Sequence, residues 1–314
     1  MRRRILLLFG TLLVLVACGP DPQGPQAPIA MEQVVEAPAL DASAARQAVV
    51  DFVDAYAASP TEGVGALAQL VVGPELASWV RWLNVQHRQF IDSTDSTGSI
   101  EAVADVRDVE FVASIEGRRV TGAQVSLSAS VTFLFESSDE DPFERARILD
   151  GLVALVQTEK GAYRVIDLQR DGVPMSAGIE LFREETRSER KAEVTLDSLF
   201  MFPPNWQFNI LVRNSGSEPL ILDPDLAGLY VEGAAGFERL EPMIPGSLAL
   251  VPPGMDAEGI LAFPLQDSAQ GRVLTLAYLS GRKLVQFDFP LDELVNVVPP
   301  PPPTTAGSEQ DVTT

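Results

Sequence analysis

Two proline-rich segments decide how much of this 314-residue chain can pack. Proline fixes φ and lacks the N–H donor that helices and inner strands need. Pro20, Pro22, Pro25, Pro28 and Pro38 punctuate residues 18–40, with Gln and Ala between them. Pro299 to Pro303 is an unbroken run within residues 296–314, followed by Thr, Ser, Gly and acidic side chains. The first segment reads as an extended tether with a reach of roughly 70 Å at most, at ~3.3 Å per residue. The second reads as polyproline II leading into a solvated tail. Residues 41–295 are left to build a core, and they must hold it by packing. Cys18 is the one cysteine, so no internal disulfide can form and a Cys-based zinc site is excluded. His87 is the one histidine, which excludes a His-rich metal cluster.

Arg2, Arg3 and Arg4 precede an apolar run from Ile5 to Ala17. As a helix that run spans ~20 Å, short of a ~30 Å hydrocarbon core, so it reads as a secretory leader and not as a permanent span. It ends Leu15-Val16-Ala17-Cys18, followed by Gly19. This tetrapeptide resembles the lipobox of bacterial lipoproteins. The resemblance implies a signal peptide over residues 1–17, a diacylglyceryl group on the Cys18 thiol, and a mature chain that starts at Cys18. It implies an extracytoplasmic protein anchored to the cell membrane by its lipid. Gly19 lacks the Asp retention signal of some double-membraned bacteria, which leaves the outer membrane open if the organism has one. The blander reading is an ordinary leader with an incidental cysteine.

The chain has 23 Lys and Arg against 44 Asp and Glu, a formal charge of −21. Loss of the three leader arginines takes it to −24. The acidity is evenly shared: residues 41–177 hold 11 basic and 21 acidic side chains, and residues 178–295 hold 9 and 18. A general basic surface for nucleic acid is therefore excluded. At 46% hydrophobic residues the chain is too apolar to be a wholly disordered acidic one.

Within 41–177, Ala44, Ala45, Ala48, Val49, Phe52, Val53 and Tyr56 recur at helical spacing. Asp41 or Ser43 can cap that helix, and Pro60 is expected beyond its end. A second helical stretch runs from about Val64 to Phe90, broken near Gly73-Pro74, with Trp79, Trp82 and Leu83 on one side. After Gly98 the period becomes two. Val103, Val106, Val109, Phe111 and Ala113 suggest one strand; Val125, Leu127, Ala129, Val131, Phe133 and Phe135 alternate along another. Leu152 to Thr158 and Tyr163 to Gln169 flank a hairpin turn at Glu159-Lys160-Gly161-Ala162. Helices followed by antiparallel strands predict an α+β domain. The element order and the final hairpin, Gly161-Ala162-Tyr163-Arg164-Val165-Ile166-Asp167, resemble the cone-shaped NTF2-like α+β domains. That resemblance implies a curved sheet around helices, often with a pocket, and its members include enzymes, ligand binders and interaction modules. Trp79 and Trp82 are candidates for stacking on a ligand, or are core residues. His87 could pair with Asp92 or Asp105 for acid–base work, or be a solvated helix residue.

Residues 178–191 are rich in Glu and Arg and read as a short helix or linker. From Ala192 the chain breaks into about seven short strands separated by turn signals at Asn214-Ser215-Gly216-Ser217, Pro252-Pro253-Gly254 and Ser280-Gly281-Arg282, which argues for a β-sandwich over 178–295. Phe208 to Asn214, Leu250 to Gly254 and Gly259 to Pro264 resemble immunoglobulin-like domains of bacterial surface lipoproteins. No chemistry follows from that resemblance.

HExxH, CxxC, GxSxG and P-loop motifs are absent from the sequence. Asp139-Glu140-Asp141 and Asp223-Pro224-Asp225 offer oxygen ligands, but without EF-hand spacing they read as solvated loop acids. The sequence thus predicts a non-enzymatic, lipid-anchored envelope protein with no metal and no cofactor. Its expected partners are the membrane, through the N-terminal lipid, and another envelope protein or ligand, but not nucleic acid. The alternative is a small-ligand or weakly catalytic pocket built around Trp79, Trp82 and His87.

Overall fold

A computed structural model describes residues 40–295, apart from 94–98, 118–119, 137–142, 149–151, 160–161, 171–172, 234–235, 244–245, 265, 267 and 269. Three helices come first. The α1 helix (Ala42–Glu62) starts at Asp41, whose carboxylate accepts the amides of Ser43 and Ala44 at 2.8 and 3.1 Å. It buries Ala45, Ala48, Val49, Phe52, Val53 and Tyr56 of the stripe read from the sequence, and leaves Ala44 half-buried. It also runs through Pro60 instead of stopping before it. Pro60 has no amide for the carbonyl of Tyr56, four residues earlier; the buried Ser59 hydroxyl donates to that carbonyl at 2.7 Å. The break at Gly73-Pro74 separates α2 (Gly65–Leu70) from α3 (Pro74–Ser93). Gly73 has φ +101°, and Pro74 takes the first helical position, where a missing amide costs nothing.

Strands follow. β1 (Ser99–Gly117), β2 (Val120–Glu136), β3 (Phe143–Ile148), β4 (Leu152–Glu159), β5 (Ala162–Arg170) and β6 (Val173–Pro174) form the first antiparallel sheet. Its order is β1-β2-β4-β5-β6, with β3 paired to the far part of β2. β1 corrects one detail of the sequence reading. Ile100, Ala102, Ala104 and Val106 face the core, then the phase changes to Val109 and Phe111. A register shift between Val106 and Asp108 causes this, because one extra residue flips the faces of a strand. Val103, expected on the core face, is 60% exposed.

After a 3-10 turn at Met175–Gly178 come β7 (Ile179–Glu189), β8 (Ala192–Phe202), β9 (Asn205–Asn214), β10 (Leu220–Leu222), β11 (Gly228–Gly233) and β12 (Gly236–Leu240). A one-turn α4 (Gly246–Ala249) leads to β13 (Leu250–Val251), β14 (Asp256–Pro264), β15 (Arg272–Ser280) and β16 (Lys283–Pro290), and α5 (Leu291–Leu294) closes the set. The second sheet has the order β14-β9-β8-β7. The third is β12-β11-β15-β10-β13, with β16 also on β15. The expected helix or linker at 178–191 is therefore mostly the strand β7. Its Glu and Arg content marks a charged sheet edge, a common guard against edge-to-edge pairing.

These findings overturn the expected fold class. The chain is mostly β, with three antiparallel sheets, and helices longer than six residues occur only at α1 and α3 among the described residues. It is not α+β with a cone-shaped NTF2-like domain; the two packed sheets expected over 178–295 are present as the second and third sheets. Two buried clusters hold it together. One packs α1, α2 and α3 on the first sheet and takes in Ile179, Phe200 and Ile260 from the later strands. The other fills the space between the second and third sheets, with Trp206, Phe208, Phe263, Tyr278 and Phe289 fully buried. The second sheet is thus used on both faces. The described residues from Leu40 to Val295 belong to one compact unit.

One end of the two-sheet body is tied by Asn214, which is 1% exposed. Its Nδ2 donates to the carbonyls of Glu218 (2.9 Å) and Val251 (3.0 Å), and its Oδ1 accepts the Gly216 amide at 3.0 Å. Asn214→Ala leaves these backbone groups short of partners and should cost about 2 kcal/mol in urea denaturation, with the slope unchanged. Substitution by Asp should recover only part of this, because a carboxylate cannot donate to the two carbonyls.

Candidate functional site

The candidate residues of the sequence lie on α3, which carries two differently directed faces. Trp79 belongs to the first. Its ring stacks on Tyr56 (centroids 5.9 Å, 17° between planes) and Phe52 (6.2 Å, 23°), and Tyr56 meets Phe133 of β2 edge-on at 5.9 Å. Trp79 is 8% exposed. Its π faces are covered by rings of the same chain, so this side chain works as core.

Trp82 belongs to the other face. It lies 5.1 Å from the Phe200 ring of β8, and its Nε1 donates to Oε1 of Gln207 on β9 at 3.0 Å. Gln86 Nε2, one turn on, donates to the same oxygen at 3.1 Å. Nearby, Asp197 of β8 accepts from four side chains: Ser78 (3.4 Å), Arg81 (3.4 Å to the same oxygen), Ser198 (3.0 Å) and Asn209 (3.5 Å). Arg88 closes the row with a 2.7 Å pair to Glu258 of β14. α3 is therefore a shared wall, with an apolar face on the first cluster and an aromatic and polar face on the second sheet. The ion pairs at its rim are substantially exposed, at 53% and 36% for Arg81–Asp197, and such pairs are worth about 0–1 kcal/mol. Trp82 and Phe200 supply the dry centre.

His87 sits half-buried on α3, between buried Val85 and exposed Arg88. Asp105 lies on the outer face of β1 and pairs with Arg107 at 3.0 Å. The side chain of Asp92, Cys18 with the leader and tether up to residue 39, the acidic loop 139–141 and the tail from 296 lie outside the described residues. Asp223 Oδ1 accepts the Asp225 amide at 3.0 Å, a local turn bond. Among the described residues, no group of three or more His, Cys, Asp or Glu side chains is placed to hold a metal ion. No described helix is long and apolar enough to cross a membrane, which says nothing of strands. Burial in the second cluster pushes the Tyr278 hydroxyl well above the usual phenol range, so it stays protonated.

Sequence reasoning missed the residues that receive α3, namely Asp197, Gln207 and Glu258. A signal for them exists. Leu199-Phe200-Met201, Phe208-Asn209-Ile210 and Ile260-Leu261-Ala262-Phe263 are continuous buried runs. Strict alternation marks a strand with one wet face; an unbroken run marks one covered on both sides.

No protein-family model matches the chain, and no curated protein matches it. Among solved structures, the crystal structure of the intermembrane space region of chloroplast protein ARC6 aligns with 42% of this chain and 97% of that chain. The identity is 11% and the TM-score 0.30, a likeness too slight to carry an argument about fold or function.

Proposed function

We propose that this chain is a non-catalytic, lipid-anchored extracytoplasmic protein that binds or positions another component of the cell envelope. The observation that carries the reading is the position of its sole cysteine. Cys18 follows Leu15-Val16-Ala17 at the end of a leader with Arg2, Arg3 and Arg4 at its head. Two acyl chains on one residue hold a protein where a single chain only lingers, at ~0.8 kcal/mol per buried CH₂. The proline-rich stretch after Cys18 then serves as a spacer between bilayer and folded body. A net charge of −24 on the mature chain keeps that body soluble and apart from its neighbours. Trp79 and Trp82, the candidate ligand-stacking rings, are engaged with Tyr56, Phe52, Phe200 and Gln207 of the chain itself, which counts against the ligand-pocket alternative.

Cys18→Ala tests the anchor. The wild-type protein should stay in the membrane pellet after a high-salt wash, and its intact mass should fit a chain starting at Cys18 plus a diacylglyceryl group. The variant should move to the salt-washed soluble fraction. A wild-type mass without lipid would sink the reading. Crosslinking in intact membranes then tests the binding role: a discrete adduct present for wild type and lost for Cys18→Ala is the expected result.

A further inference from the structure

The outer face of the third sheet carries an apolar rung. Leu250 on β13 stands opposite Ile221 on β10, Ile221 opposite Leu279 on β15, and Leu279 opposite Leu284 on β16. Directly opposed residues share a face, so these four side chains form one line across four strands, about 15 Å long at ~4.8 Å per strand. All are exposed, at 51%, 47%, 37% and 41% in that order. Single exposed leucines are ordinary; a continuous row of them marks a contact surface.

The rung lies one residue inside the end of the two-sheet body, and that end is where the basic side chains gather. Ser280, which opposes Leu220, leads into Gly281, Arg282 and Lys283. The β7–β8 turn is beside it: the Ser215 amide donates to the Lys191 carbonyl at 2.8 Å, and the Gln286 amide approaches Glu189 Oε2 at 3.5 Å. That turn is Arg190-Lys191, both at positive φ (49° and 70°), where Gly, Asn or Asp is the favoured choice. Two cations hold a place that backbone preference would give to other residues. Two of the chain's three lysines, Lys191 and Lys283, are at this end.

The local charges are Arg190, Lys191, Arg213, Arg282 and Lys283 against Glu189, Glu193, Glu218 and Asp256. Glu189 is paired with Arg190, and Glu193 and Asp256 are paired with Arg213. Lys191, Arg282 and Lys283 have no ion-pair partner among the described residues, and Glu218, whose side chain lies against Gly281, is the one acid left over. Away from the end, the same face carries Asp288 and Glu232, and its Arg239 is paired with Glu241. The order along the face is thus basic tip, apolar rung, acidic remainder.

We propose that this end of the body docks on a phospholipid bilayer, with Leu250, Ile221, Leu279 and Leu284 entering the boundary between headgroups and acyl chains and Lys191, Arg282 and Lys283 meeting lipid phosphates. The inference rests on the lipid-anchor reading. A tether of residues 18–40 keeps the body within roughly 70 Å of the bilayer, so the lipid surface is always present at high effective concentration. The charge order supplies the orientation, because the acidic remainder is repelled from an anionic surface while the tip is not.

The test uses the chain from residue 18 with Cys18→Ala, which carries neither leader nor lipid and keeps every described residue. It should co-sediment with vesicles of phosphatidylethanolamine and phosphatidylglycerol, less with phosphatidylcholine vesicles, and less as salt rises. Ile221→Ser with Leu279→Ser should weaken partitioning about tenfold. Arg282→Glu with Lys283→Glu should bring binding to the anionic vesicles down to the phosphatidylcholine level. Leu250→Ser with Leu284→Ser, on other strands, repeats the first test should that pair fail to fold. Absence of vesicle binding, or rung variants that bind like the parent, would overturn the proposal. So would a rung-dependent dimer in sedimentation without vesicle binding, which would assign the rung to a second copy of the chain. Because the assay contains no lipid anchor, its failure leaves the Cys18 reading standing, and failure of the anchor is seen separately in the mass of the mature protein.

Discussion

Trp79→Ala is expected to destabilise the protein by about 3–5 kcal/mol, among the largest effects of any single substitution outside the joint at Trp82. The indole fills the space between α1 and α3, with Tyr56 and Phe52 stacked on it and Phe133 edge-on to Tyr56. Truncation removes the transfer free energy of a nearly buried ring and leaves a cavity that two helices and a sheet cannot close without losing other contacts. Urea denaturation should show a lower midpoint with a similar slope, and Trp79→Phe should recover most of the loss because it keeps an aromatic body in the stack. A Trp lining a ligand pocket would behave otherwise: its removal would leave stability within about 0.5 kcal/mol, the ordinary range for surface changes. A shift of under about 1 kcal/mol for Trp79→Ala would therefore return the residue to the list of binding candidates.

The same residue shows how far local sequence can be read. The helical stripe from Ala44 to Tyr56 is set by a period that every turn repeats, and α1 follows it. That Trp79 is core also lies within reach of local pattern. Its partner face on Tyr56 and Phe52 does not, because those contacts join α3 to α1 across more than a turn of chain. Val103 departs from its expected face for a different reason. The phase of β1 is broken by an extra residue near Arg107, and a bulge leaves no mark in an alternating pattern except the break itself. β7 escapes the sequence reading because Glu and Arg suit a solvated helix and a sheet edge equally. Cluster chemistry is least legible of all. Asp197 gathers Ser78, Arg81, Ser198 and Asn209, which are separated by up to 131 positions along the chain (from 78 to 209).

Trp82→Ala should loosen the union of the helical part with the second sheet, lowering stability by about 3–5 kcal/mol. Trp82 is 6% exposed, its ring lies 5.1 Å from Phe200, and its Nε1 uses one of the acceptor sites on Gln207. Without the indole, the polar contacts left at this wall are Arg81–Asp197, Ser78–Asp197, Arg88–Glu258 and the Gln86–Gln207 bond, beside the apolar contacts of Ile179, Phe200 and Ile260. The two ion pairs are solvent-facing and worth about 0–1 kcal/mol each, so they cannot hold two bodies as one cooperative unit. The cluster between the second and third sheets does not include Trp82 and should keep its own stability. A single transition is expected for the parent and a split one for the variant, with the α1–α3 part unfolding first and near-ultraviolet signal from Trp206 surviving to higher denaturant. Trp82→Phe separates the two contributions of the indole: it keeps much of the ring contact with Phe200, loses the bond to Gln207, and should cost about 1–2 kcal/mol without splitting the transition. A single, unsplit transition for Trp82→Ala at the parent midpoint would mean that the wall is held elsewhere, with Ile179 and Ile260 in the first cluster the next residues to change.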